Sequence, residues 1–251
     1  MKYGFMAGCS LSSASPKNVA NIIAYLKHYY PDLAVIQACC GKPRRMIGQE
    51  AAFQKQFASL TDMVHEAGID ELLVACQGCL KTMTDQNQFK MGSLWVKMAE
   101  LGLPKAYLNK AKDSQVVFSI QDSCPTKDRT DIHEAVRYLI HSLGYATKET
   151  RLSGKNTLCC GMGGMCGVSN PPLAKTAATK RVHDFKTDYI VTYCASCTAA
   201  MILGGGRSWH LLDLIFGDVV QLGDTCPDTA LHHPLTAWAN RYRSKQIVAK
   251  A

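Results

Sequence analysis

The sequence predicts an α/β fold made of two homologous halves, each with a mostly parallel sheet and helices packed on it. Three observations point there: a cysteine pattern that recurs along the chain, short apolar runs that lead into those cysteines, and amphipathic stretches between them. In the first half the cysteines fall at Cys9, at Cys39-Cys40 followed by Gly41, and at Cys76 and Cys79. In the second half they fall at Cys124, at Cys159-Cys160 followed by Gly161, and at Cys194 and Cys197. The three elements recur in order at offsets of 115, 120 and 118 residues, which indicates a duplicated unit.

The apolar runs read as buried strands. Tyr3–Met6 leads to Cys9, and Val116–Ile120 leads to Cys124. Leu72–Ala75 precedes Cys76, and Tyr189–Thr192 precedes Cys194. Helical spacing follows: Val19, Ile22, Ile23 and Leu26 keep one face, as do Ile132, Ala135, Val136, Leu139 and Ile140. Ser15 before Pro16 reads as a cap for the first of these helices, and Thr130 and Asp131 open the second. Further helices fit Glu50–Glu66, Leu173–Phe185 and His210–Phe216. Each half is therefore β-α-β-α-β and Rossmann-like, with cysteines at the carboxyl ends of strands, where open α/β sheets place their ligands. Gly102-Leu103-Pro104 and the polar stretch Asn109–Gln115 mark a junction. The expected organisation is a first half at 1–114, a second at 115–217 and a C-terminal extension at 218–251.

Composition narrows the chemistry. The net charge of +8 divides as +4 in residues 1–115 and +4 in the rest, with no long basic run, which argues against nucleic acid as a partner. No apolar run reaches the ~20 residues of a membrane span. The N-terminus lacks the pattern of a secretory signal, so the expected compartment is the cytoplasm. Twelve cysteines at this density in a reducing compartment point to metal or redox chemistry rather than to disulfides. There is no Walker loop and no G-x-G-x-x-G after a strand, so electrons are expected from a partner rather than from a bound nucleotide or flavin.

A Cys-x-x-Cys pair alone serves redox dithiols, zinc and iron–sulfur sites alike. Zinc closes on four ligands, whereas each half here offers five, two of them adjacent. Adjacent thiolates suit a cluster in which some cysteine sulfurs bridge two irons, and the glycines after each pair let backbone N–H groups approach sulfur. The shorter first motif also admits zinc. Cys166 and Cys226 lie outside the pattern and carry no assigned role.

These residues resemble the paired CCG cysteine-rich domains found in the CCG-bearing subunit of heterodisulfide reductase and in related oxidoreductase subunits. The resemblance rests on both cysteine sets. It is strongest in the second half, in Asp122–Pro125, Thr157–Gly164, Val191–Cys197 and His210–Leu214. It implies two noncubane [4Fe-4S] clusters held by Cys9, Cys39, Cys40, Cys76 and Cys79 and by Cys124, Cys159, Cys160, Cys194 and Cys197. It implies an oxidoreductase that reduces a small disulfide or related sulfur substrate, the alternative being a relay subunit between a dehydrogenase and a quinone or carrier. The partners it implies are a ferredoxin-like [4Fe-4S] subunit and a flavoprotein subunit. Lys42, Arg44, Arg45, Lys127 and Arg129 are candidate counter-charges for such a site.

Overall fold

The computed structural model describes residues 1–251. The chain divides into two compact units, one of residues Met1–Leu94 with Ala230–Ala251 and one of residues Trp95–Thr229. The boundaries expected at 114 and 217 follow the cysteine repeat, whereas this division places Ala230–Ala251 with the first unit.

In the first unit the order is β1 (Tyr3–Met6), α1 (Cys9–Ala14), α2 (Pro16–Tyr29), β2 (Ala34–Val35), α3 (Lys42–Met46) and α4 (Glu50–Glu66). Then come β3 (Glu71–Val74), α5 (Gln77–Gln86) and β4 (Met91–Ser93), with α6 (Leu94–Leu101) beginning at the boundary. The second unit continues with β5 (Val117–Gln121), α7 (Thr130–Ser142), β6 (Ala146–Thr147), α8 (Cys166–Ser169) and α9 (Pro171–His183). It ends with β7 (Tyr189–Thr192), α10 (Ala195–Leu203), β8 (Arg207–His210) and α11 (Leu211–Phe216). The last helix, α12 (Pro234–Ala249), returns to the first unit.

Each unit holds a four-stranded, wholly parallel sheet, in the order β2-β1-β3-β4 and β6-β5-β7-β8. The expected α/β duplication is thus present, with one strand more per half than the β-α-β-α-β order. The added strands β4 and β8 are three and four residues long. The first is short and the second, Arg207-Ser208-Trp209-His210, is largely polar, so neither leaves an apolar run. The central strands are apolar because both faces are covered. Leu72, Leu73 and Val74 are fully buried, and Phe5 pairs in register with Leu73. In the second unit Phe118 packs edge-on against Tyr145, Tyr189 and Trp209.

Helix ends follow local chemistry. Ser15 caps α2 by accepting from the Asn18 N–H at 3.2 Å, with Pro16 at the first helical position. The close of α1 is different, because α12 supplies the partners for its carbonyls. Asn240 donates to the Ser13 carbonyl at 3.1 Å and Ser244 to that of Ser12 at 2.8 Å. Two buried polar side chains thereby satisfy backbone groups that a helix terminus leaves unpaired.

In both sheets the chain leaves the first strand in one direction and returns to the other side of it. The neighbours β1/β3 and β5/β7 therefore form the topological switch point, whose carboxyl end is the usual ligand crevice. Cys9 and Cys76 follow the first pair, and Cys124 and Cys194 follow the second. No helix is long and apolar enough to cross a membrane.

Candidate metal centres

Both crevices gather the five expected cysteines, and in the same order. In the first unit, side-chain hydrogen bonds run from Cys9 to Cys39, on to Cys40, then to Cys79 and Cys76. In the second they run from Cys124 to Cys159, on to Cys160, then to Cys197 and Cys194. The Cys160 and Cys197 sulfurs are 3.5 Å apart. All twelve cysteines are free thiols. The adjacent pair is what connects the two ends of each relay: the first cysteine of the pair turns to the β1 or β5 side, the second to the Cys-x-x-Cys side.

This arrangement separates the proton affinities of neighbouring sulfurs. Hydrogen bonds from Cys40 and Cys9 lower the Cys39 thiol to about 2 against the cost of burial, helped by the Gly41 N–H and the Arg241 charge. Cys159 is lowered in the same way by Cys124 and Cys160, with the N–H groups of Gly161 and Gly163 adding to the effect. The second members donate to the first: Cys40 and Cys160 are both pushed up to about 12 by that bond. The bond to Cys39, then burial, raises Cys9, and Cys79 and Cys197 are also raised. Cys194 falls to about 6, chiefly through the Cys197 thiol and against the cost of burial, with the N–H groups of Cys197 and Ser196 at the start of α10 and the Ser123 side chain adding to it. The first cysteine of each pair is thus the thiolate-favouring member, joined by Cys194 in the second relay, while Cys40, Cys79, Cys160 and Cys197 hold their protons more tightly.

Backbone shape admits these contacts. Gly161 takes φ +97°, and a Cβ there would stand 2.8 Å from the Ala174 carbonyl oxygen. Its N–H instead reaches Cys159 Sγ at 3.4 Å. Gly8, before Cys9, takes φ +81°, and a Cβ there would stand 2.9 Å from Cys76 Cβ.

A polar floor supports the second relay. Asp122, wholly buried, receives both Arg137 terminal nitrogens at 3.1 and 2.9 Å, the Gly154 N–H at 2.6 Å and the Tyr193 hydroxyl at 3.3 Å. Tyr193 in turn accepts the Ser123 N–H at 3.0 Å. Arg181, also buried, donates to Gln121 at 2.6 Å and to the Leu152 carbonyl at 2.8 Å. These residues fix the strand ends that carry Cys124 and Cys194. Their signal in the sequence is faint: an Asp and a Tyr, each immediately after an apolar strand run.

The candidate counter-charges divide. The Lys42 ammonium lies over the Cys76–Cys79 turn, 3.0 Å from where a Gly78 Cβ would stand. Arg44 donates to Gln56, and Arg45 pairs with Glu50 and stacks on Phe53. Arg129 is engaged bidentately with Asp131. Met162 packs on the buried cluster around Cys160 and Cys197. Cys166 reaches only the Asn170 carbonyl, at 3.7 Å. His210 caps α11 through Nδ1, and burial lowers it to about 4, so it is neutral.

The cysteine-rich domain family called CCG matches residues 3–84 and again 118–202, one match for each relay. The chain belongs to this family. A curated relative of this CCG chain, EtfAB:quinone oxidoreductase of Syntrophomonas wolfei subsp. wolfei (strain DSM 2245B / Goettingen), is 23% identical over 227 residues. That alignment covers 82% of this chain and 32% of the relative, so the chain spans about a third of the relative's length. Among solved structures, glutamate racemase from Campylobacter jejuni subsp. jejuni is 12% identical with a TM-score of 0.38, covering 99% of this chain and 98% of that one. An aspartate racemase homologue from Pyrococcus horikoshii OT3 is 12% identical with a TM-score of 0.37, at 99% coverage of both.

The donor set of the CCG relays fits an iron–sulfur group. Five soft sulfur donors converge with backbone N–H groups directed at the thiolate, which is the environment that holds such clusters and tunes them. As the side chains stand, no group of three or more His, Cys, Asp or Glu is arranged to hold a metal ion.

Proposed function

We propose that this chain is an electron-transfer component of an iron–sulfur oxidoreductase, in which each five-cysteine relay holds one [4Fe-4S] cluster of the noncubane type. The observation that carries the reading is the recurrence of one thiol order, single–pair–Cys-x-x-Cys, at both switch points. Ten cysteines are the ligands: Cys9, Cys39, Cys40, Cys76 and Cys79, then Cys124, Cys159, Cys160, Cys194 and Cys197. Five sulfurs joined in line favour a multinuclear group over one zinc ion, which takes four around a point. When bound, the clusters supply one-electron chemistry. The chain itself supplies thiolates and N–H donors.

The named relative favours relay between a flavoprotein and a quinone. Reduction of a small disulfide, the activity implied by heterodisulfide reductase, is the second reading. It is favoured by Cys159, which is exposed at the second relay while Cys160 is buried.

Iron and acid-labile sulfide analysis of anaerobically prepared protein tests the reading. About eight irons and matching sulfide are expected. Cys194→Ser should remove one cluster's EPR signal and leave the other. Zinc in place of iron overturns the proposal, as does an unchanged spectrum in the variant. A shift of the oxidised-state signal on adding a disulfide or thiol would select the second reading over relay.

A further inference from the structure

The helix α12 turns the wrong way round for an ordinary surface helix. Its buried side chains include polar Asn240 and Ser244, while Leu235, Trp238 and Tyr242, at i, i+3 and i+7, are 86%, 72% and 56% exposed. Trp238 and Tyr242 stack on each other with an interplanar angle of 14°. Large exposed apolar side chains gathered on one face mark interaction surfaces.

Charge gathers on the same unit. The first unit carries 13 Lys/Arg against 7 Asp/Glu, net +6, and the second 15 against 13, net +2. The excess is concentrated in two segments. Helix α3 contributes Lys42, Arg44 and Arg45, and residues 230–251 contribute Arg241, Arg243, Lys245 and Lys250, with no Asp or Glu in either. The near-even division of charge along the sequence becomes uneven once α12 returns to the first unit.

Both features border the first relay. A cleft of about 390 Å³ is walled by Trp238, Arg241, Tyr242 and Lys245 and floored by Gln37, Ala38 and Cys39. A second cleft, of about 580 Å³, shares Cys39 and Gln56 with it and is bordered by Arg44 and Lys55. Cys39 is thus the one ligand thiol that both clefts reach.

We propose that this aromatic and basic face is the docking site for a small acidic electron-transfer protein, which exchanges electrons with the first cluster beside Cys39. This rests on the cluster reading above. Stacked aromatics and arginines are the side chains that carry binding energy at protein interfaces, and surrounding lysines steer an acidic partner to them. In the transfer, one electron leaves the partner's reduced centre, which is oxidised, and arrives at the cluster, which is reduced; no bond is made or broken. A charge-complementary surface beside a half-buried ligand thiol is what such an encounter needs, and an open cleft suits a protuberant protein surface better than an enclosed small molecule.

Anaerobic calorimetry of the full, cluster-loaded chain with a small acidic [4Fe-4S] ferredoxin tests the docking. Binding that weakens as salt rises is expected. Lys55→Glu with Lys245→Glu, and separately Trp238→Ala, should each weaken it about tenfold or more. All three side chains are exposed, so the fold and the iron content should be unchanged. Stopped-flow reduction by the ferredoxin should slow to the same degree, while reduction by dithionite should change by less than about threefold. Unchanged affinity in both variants overturns the proposal, as does tighter salt-dependent binding of a single-stranded oligonucleotide or of flavin mononucleotide at the same residues. Binding depends on the surface and iron content on the thiols, so a chain without iron that still loses ferredoxin on charge reversal would sink the cluster reading and keep the docking site.

Discussion

The two cysteine sets have the same thiol order but stand on different floors. At the second, the strand ends read Gln121-Asp122-Ser123-Cys124 and Thr192-Tyr193-Cys194, and their side chains form a buried hydrogen-bonded frame with Arg137 and Arg181. At the first, the matching residues are Met6-Ala7-Gly8-Cys9 and Val74-Ala75-Cys76, which are apolar or carry no side chain. The first strand ends are held by apolar packing and by Gln77, which donates to the Ala75 carbonyl at 2.9 Å, the second by a charge pair and a tyrosine. The comparison teaches that the ligand geometry does not depend on one kind of support. The polar frame gives the second site a rigidity that is lost all at once when a member is removed, because each buried polar group left behind is unpaired.

The largest effect should come from Asp122→Ala, which gives the second site the residue the first already has. Removing one partner of a buried pair costs about 3–5 kcal/mol. Chemical denaturation should show that loss, and iron analysis should show about half the metal gone. A loss under about 1 kcal/mol would mean that the frame does not hold the second strand ends.

Acid should separate the sites next. His210 closes β8 in the second unit, where Ser93 closes β4 in the first. Burial lowers His210 to about 4 in the folded chain, below its ordinary value near 6.5. Between those values the unfolded chain binds the extra proton, so stability rises with pH across this window. The contribution is complete above about pH 6.5 and lost as pH falls towards 4, by up to roughly 3 kcal/mol. Denaturation followed across that range should show the slope, and His210→Gln should flatten it.

A smaller effect is expected from Gly8→Ser, which brings the second site's residue to the first. Gly8 has φ +81° and ψ 155°, a region essentially confined to glycine, whereas Ser123 has φ −77°. Forcing a side chain into that region costs about 1–3 kcal/mol. The added Cβ would also press on Cys76, so iron at the first site should fall while the second keeps its share. The reverse change, Ser123→Gly, removes a 4.0 Å contact to Cys197 and a side-chain hydrogen bond to Cys194, and should cost about 1 kcal/mol.

Most of the site was legible because thiol chemistry leaves its mark in residue type and spacing. The repeated order named all ten convergent cysteines, and the apolar runs placed four of them after strands. The fold was legible to the same depth. Helix α4 runs Glu50–Glu66 and β7 runs Tyr189–Thr192, as the pattern indicated, while α9 begins two residues earlier than expected, at Pro171. What escaped had no periodic or compositional trace. Strand β4 is only three residues long, and β8 is the largely polar Arg207–His210, so neither makes an apolar run. Asp122, Arg137 and Tyr193 come together only through the fold, across 71 residues. Helix α12 packs through Asn240 and Ser244, so its buried face has no apolar stripe to read.

The return of α12 also has a consequence for the order in which the chain acquires its shape. The second unit is one continuous stretch, Trp95–Thr229, whereas the first needs Ala230–Ala251 to satisfy the last carbonyls of α1. Domains on a growing chain ordinarily mature from the N-terminal end. Here the first unit is discontinuous, and its closing helix is translated only after the whole of the second unit.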